Sequence, residues 1–67
     1  MENKQEILDK LLLALQATRL FRDLASLEYD SQTEMVTAIY DGGAALRVNV
    51  AGDSGFAMIE DVLRLLV

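Results

Sequence analysis

The sequence predicts a single α+β domain spanning residues 1–67, with the element order αβββα: a three-stranded antiparallel meander with N- and C-terminal helices packed on one face. Three observations lead there. A stretch rich in Leu, Ala, Gln, Lys and Glu runs from Lys4 to Ala25 without glycine or proline. Two alternating, β-branched stretches flank Asp41-Gly42-Gly43. From Gly52-Asp53-Ser54-Gly55 onward, strand alternation gives way to a helical apolar pattern.

The first helix is expected over about Lys4 to Ala25. Successive residues 100° apart place Gln5, Asp9, Gln16, Arg19 and Asp23 on one polar strip interrupted by Leu12, and apolar side chains take most of the remaining circumference. Two apolar seams follow. One is Leu13, Ala17, Leu20, Leu24 and Leu27, at alternating spacings of four and three; the other is Ile7 or Leu8 with Leu11 and Leu15, with Ala14 and Phe21 between the two. Leu27 to Asp30 reads as a brief first strand ending in the turn-like Ser31-Gln32-Thr33.

Glu34 to Tyr40 reads as the second strand and Ala44 to Val50 as the third, joined at the glycine turn. Leu46, Val48 and Val50 face the core in this reading. A three-residue loop with a bulge puts Val36, Ala38 and Tyr40 beside them; a two- or four-residue loop substitutes Met35, Thr37 and Ile39. The three-residue loop is preferred. Asp53 or Ser54 caps the last helix, which runs to about Leu66 with Phe56, Ile59, Val62, Leu63 and Leu66 as its apolar stripe, Met58 and Leu65 widening it, and a Glu60–Arg64 pair on its wet side.

Composition narrows the functions. Cysteine and histidine are absent, so disulfides, thiol chemistry and the common zinc sites are excluded, and neither metal nor cofactor is expected. The longest apolar run is Leu11 to Leu15, too short to span a bilayer, and the first ten residues mix acids and bases without a cleavage site. A cytoplasmic protein without membrane association is the expectation. The net charge is −5, and its excess lies in residues 27–67, where seven acids face two bases. Direct nucleic-acid binding is therefore disfavoured.

Several local patterns suggest chemistry and then fail on a missing part. Gly52-Asp53-Ser54-Gly55 spells the segment around the nucleophilic serine of trypsin-like proteases, but that serine needs a base and no histidine exists. A helix cap is the better reading. Asp53 would occupy or repel an anion at this helix start, and Asp41-Gly42-Gly43 brings one acid where calcium needs several oxygen ligands. Glu60-Asp61 and the group Glu28, Asp30 and Glu34 read as solvated acids rather than catalytic pairs. No catalytic residue is assigned, and an enzyme is not expected.

The segment Tyr40-Asp41-Gly42-Gly43, followed by Arg47 through Val62 (RVNVAGDSGFAMIEDV), resembles small proteins of phages, prophages and mobile elements of Gram-positive bacteria that share a pattern close to VNVAxDSGxAMIxDV. About the last 28 residues carry the match, with a looser LEYD-like strand before them. Ala44-Ala45 and the leucine-rich first helix depart from the pattern. The resemblance implies a genomic context and carries no activity or site residue with it.

Two functions remain as expectations. The first is a non-catalytic protein-interaction module, homodimeric through Leu13, Ala17, Leu20, Leu24 and Leu27, since a domain this small gains from burying apolar surface against a second copy. The second is an acidic inhibitor imitating nucleic-acid charge, of the anti-restriction or anti-CRISPR type. It requires Glu28, Asp30, Glu34, Asp41, Glu60 and Asp61 to share one face.

Overall fold

The computed structural model describes residues 2–67. Its elements are α1 (Lys4–Gln16), β1 (Leu24–Asp30), β2 (Met35–Tyr40), β3 (Ala45–Asn49) and α2 (Gly55–Leu66). The strands form one antiparallel sheet in the order β1-β2-β3, and both helices contact it. Leu8 of α1, Leu24 and Leu27 of β1, Val36 and Ala38 of β2, Val50, and Met58 and Val62 of α2 form one core with Phe21. Burial of a leucine of this kind contributes about 2 kcal/mol.

The first helix stops nine residues earlier than its composition predicts. Both the amide and the Oγ1 hydroxyl of Thr18 donate to the Leu15 carbonyl, at 3.0 and 2.6 Å, closing the final turn. A side chain that competes for helix carbonyls favours termination there. The chain then turns through residues 17–23, dropping Phe21 into the core, and β1 starts at Leu24 rather than Leu27. The pairs Leu24–Tyr40 and Ser26–Ile39 leave Ala25 as an extra residue, a β-bulge. This bulge puts Leu24 and Leu27, three apart, on the same face of a strand. It is why their spacing imitates a helix.

The β2–β3 hairpin follows the preferred register. The Tyr40 amide donates to the Ala44 carbonyl at 2.9 Å, Asp41-Gly42-Gly43 forms the three-residue loop, and Gly43 has φ +93°. Val36 faces Val48, Ala38 faces Leu46, and Tyr40 packs against the core. Leu46, at the sheet edge, stays 40% exposed. The other turn contains Glu34 at φ +55°, a left-handed conformation that costs a side chain about 1 kcal/mol. Glu34→Gly or Glu34→Asn is therefore expected to raise stability by about 0.5–1 kcal/mol, read as a higher urea midpoint.

Ser54 is the cap of α2, its Oγ accepting from the Ala57 amide at 3.2 Å. The helix is rotated from its predicted orientation: Gly55, Met58 and Val62 are buried, whereas Phe56 is 71% exposed. Gly55 belongs to the buried stripe, and an added Cβ there would stand 2.7 Å from Ile7 Cδ1 and 2.5 Å from Glu2 Oε2. Gly55 thus lets the start of α2 sit directly against Glu2 and Ile7, and any residue with a Cβ there would push those two side-chain ends aside. Arg64 pairs with Asp61 at 3.2 Å rather than with Glu60.

Candidate functional site

The residues nominated from the sequence as a dimer seam do not form one. Leu13 lies on α1, Ala17 caps it, Leu20 sits in the following turn, and Leu24 and Leu27 belong to β1. Leu24 and Leu27 are buried at 0 and 1% exposure, while Leu13 and Leu20 remain 68 and 72% exposed. The proposed five-residue helical seam is thus corrected to a three-residue exposed remnant, because the helix ends before the seam does.

The six acids are spread rather than gathered. Glu28 and Asp30 are exposed on β1, and Glu34 lies in the β1–β2 turn. Asp41 lies in the opposite turn, while Glu60 and Asp61 are on α2 across the sheet. Asp30 is occupied structurally, its Oδ1 accepting from the Gln32 and Thr33 amides at 2.8 and 3.4 Å. A shallow depression of about 450 Å³ beside it is lined by Asp30, Thr33, Met35, Thr37 and Arg47. This distribution does not favour imitation of a phosphate backbone.

Sequence reasoning missed what the fold does to Asp53. Asp53, read as a possible cap and as a bar to anion binding, stands where it can hydrogen-bond to the Asp61 carboxyl group once one of the two is protonated, and its Oδ2 is enclosed without a partner. The Asp61 hydrogen bond, burial and the Asp61 charge raise its pKa above the ordinary 3.8, while Lys4 and Arg64 pull the other way. The eight-residue separation of the two acids gives no warning, since the contact depends on the turn before α2. A raised carboxyl pKa means that the folded state holds the proton more tightly than the unfolded chain. Its stabilising effect is therefore present at and below pH 3.8 and is lost as pH rises through the raised value. Urea titrations across that window are expected to show wild-type stability falling relative to Asp53→Asn, and parallel curves would contradict the assignment.

The two edges of the sheet are treated differently. On β1, Gln5 Oε1 accepts from the Tyr29 amide at 2.8 Å and Gln5 Nε2 donates to the Leu27 carbonyl at 3.0 Å. Gln16 Nε2 donates to the Leu24 carbonyl at 2.8 Å. Two glutamines of α1 thus occupy hydrogen-bonding groups that an added strand would use. Along β3 the Leu46 and Val48 backbones pair with β2, so those of Ala45, Arg47 and Asn49 point away from the sheet. Among the described residues, no side chain covers them as Gln5 covers β1.

In comparison with known proteins, no family model, curated protein or solved structure matches the chain. Among the described residues no helix is long and apolar enough to cross a membrane.

Proposed function

We propose that this chain is a non-catalytic protein-interaction module, and that its origin is a phage or mobile element, as the C-terminal resemblance implies. The observation that carries the reading is the exposure of three large apolar side chains, Leu13, Leu20 and Phe56, in a domain whose core already draws on both helices, β1 and β2, with Val48 of β3 packed against it. Covered by a partner, these side chains would contribute apolar burial that they do not supply to this core. A second copy meeting the remnant Leu13, Ala17 and Leu20 would bury part of it, whereas a different protein partner can use Phe56 as an aromatic anchor.

The test is capture by the tagged chain, after cross-linking in a lysate of cells that encode it, compared with Leu20→Ser and Phe56→Ser. Both variants should melt within a few degrees of the wild type, because neither side chain is in the core. Loss of a captured protein, or of dimer in sedimentation, in at least one variant supports the reading. Unchanged capture and unchanged sedimentation in both would overturn it.

A further inference from the structure

We propose that the outer edge of β3 accepts an extended segment of a partner protein as a fourth strand, with an acidic side chain of that segment set beside Arg47. The inference deepens the interaction reading and rests on it, but it names a surface separate from Leu13, Leu20 and Phe56. Its basis is the asymmetry of the sheet. The β1 edge is occupied by Gln5 and Gln16, whereas β3 leaves the N–H and C=O groups of Ala45, Arg47 and Asn49 directed outward. Alternating backbone groups of this spacing are satisfied by an extended chain.

The surroundings of the edge restrict the occupant further. Ala45, Arg47 and Asn49 carry their side chains on the face away from the helices, and among the described residues Arg47 forms an ion pair with no carboxylate. A carboxylate on the neighbouring strand beside Arg47 would complete a cross-strand pair. On the helix face, half-exposed Leu46 and partly buried Val48 favour apolar residues at the alternate positions. A second copy fits less well. Paired strands lie about 4.8 Å apart, whereas packed helices need about 8–10 Å, so joining β3 to another β3 would press together the α2 helices that lie against them. Both copies would also bring a net charge of −5. A bare strand brings no helix.

The test uses the whole chain, labelled with nitrogen-15, and a synthetic peptide of sequence KVTVEVTK, whose valines share one face and whose glutamate lies on the other. Binding should shift the Ala45, Arg47 and Asn49 amides and slow their hydrogen exchange. Replacing the peptide glutamate by lysine should weaken binding about fivefold or more. Methylating the peptide amides that face β3 should abolish it. So should Arg47→Pro, which removes an outward N–H without breaking the β2 ladder. Phe56→Ser should leave peptide binding intact. The inference is overturned if the peptide shifts only helix amides or nothing at millimolar concentration, or if the methylated peptide binds as well as its parent. A dimer in sedimentation that Arg47→Pro dissociates would assign the edge to a second copy and overturn the choice of occupant. If the peptide fails while Phe56-dependent capture persists, the edge assignment falls and the interaction reading stands.

Discussion

Leu24→Ala and Leu27→Ala are each expected to cost about 2–5 kcal/mol, read as a large fall in the urea midpoint. Both side chains are buried where α1, β1 and β2 meet, and alanine would leave a cavity among Leu8, Val36 and Ala38. A single core of this size supplies about 3–5 kcal/mol in total, so either change consumes most of the margin. Leu13→Ala and Leu20→Ala, by contrast, should stay within about 0.5 kcal/mol of the wild type. Circular dichroism with urea denaturation separates the two pairs. If all four variants behaved alike, the leucines would lie on a common surface and the placement of β1 would be wrong.

Gln5→Ala is expected to lower stability by about 1–3 kcal/mol and to promote self-association through β1. One amide group holds the Tyr29 N–H, the Leu27 carbonyl and the Asp9 carboxylate at 2.8, 3.0 and 2.8 Å. Removing it leaves two part-buried backbone groups without partners and opens the edge that α1 closes. Gln5→Glu should be worse than its size suggests. It keeps an acceptor for the Tyr29 amide but sets a carboxylate against the Leu27 carbonyl and Asp9, where the wild type has a donor. Denaturation midpoints and light scattering at increasing concentration check both effects. An unchanged midpoint for both variants would show that the glutamine contacts contribute nothing to the edge.

The parts of the fold legible in the sequence are those fixed by local chemistry. Asp41-Gly42-Gly43 specifies a tight hairpin, and the positive φ of Gly43 sets a register that turns Val36, Ala38 and Tyr40 inward. Ser54 has the right side chain at the right place to cap α2. What could not be read depends on contacts distant in sequence. Leu20, Leu24 and Leu27 keep helical spacing, yet the segment leaves the helix after Gln16 because Phe21 and the bulge at Ala25 place Leu24 and Leu27 better in the sheet.

The face of α2 that turns inward includes Gly55, which meets Ile7 and Glu2 in a contact between opposite ends of the chain. The Glu2 carboxylate accepts from the Gly55 amide at 2.8 Å, an interaction across 53 positions that no window of sequence reveals. Asp53 and Asp61, eight positions apart, meet through the turn before α2, which the spacing alone does not show. Among the candidate functional residues, the acids could be listed in advance, but their dispersal depended on topology. The open β3 edge was also hidden, because a strand's neighbours decide whether its backbone is satisfied.

The placement of Leu24–Asp30 as a strand under α1 determines which leucines are core, which edge is closed and which surfaces remain for a partner. Nuclear Overhauser spectroscopy tests it most directly, through the Hα–Hα contacts that close non-hydrogen-bonded antiparallel pairs produce. Strong cross-peaks are predicted between Leu27 and Ala38 and between Tyr29 and Val36, the pairs that the register brings together. Their absence, together with helical contacts three residues apart continuing from Gln16 through Leu24, would contradict it.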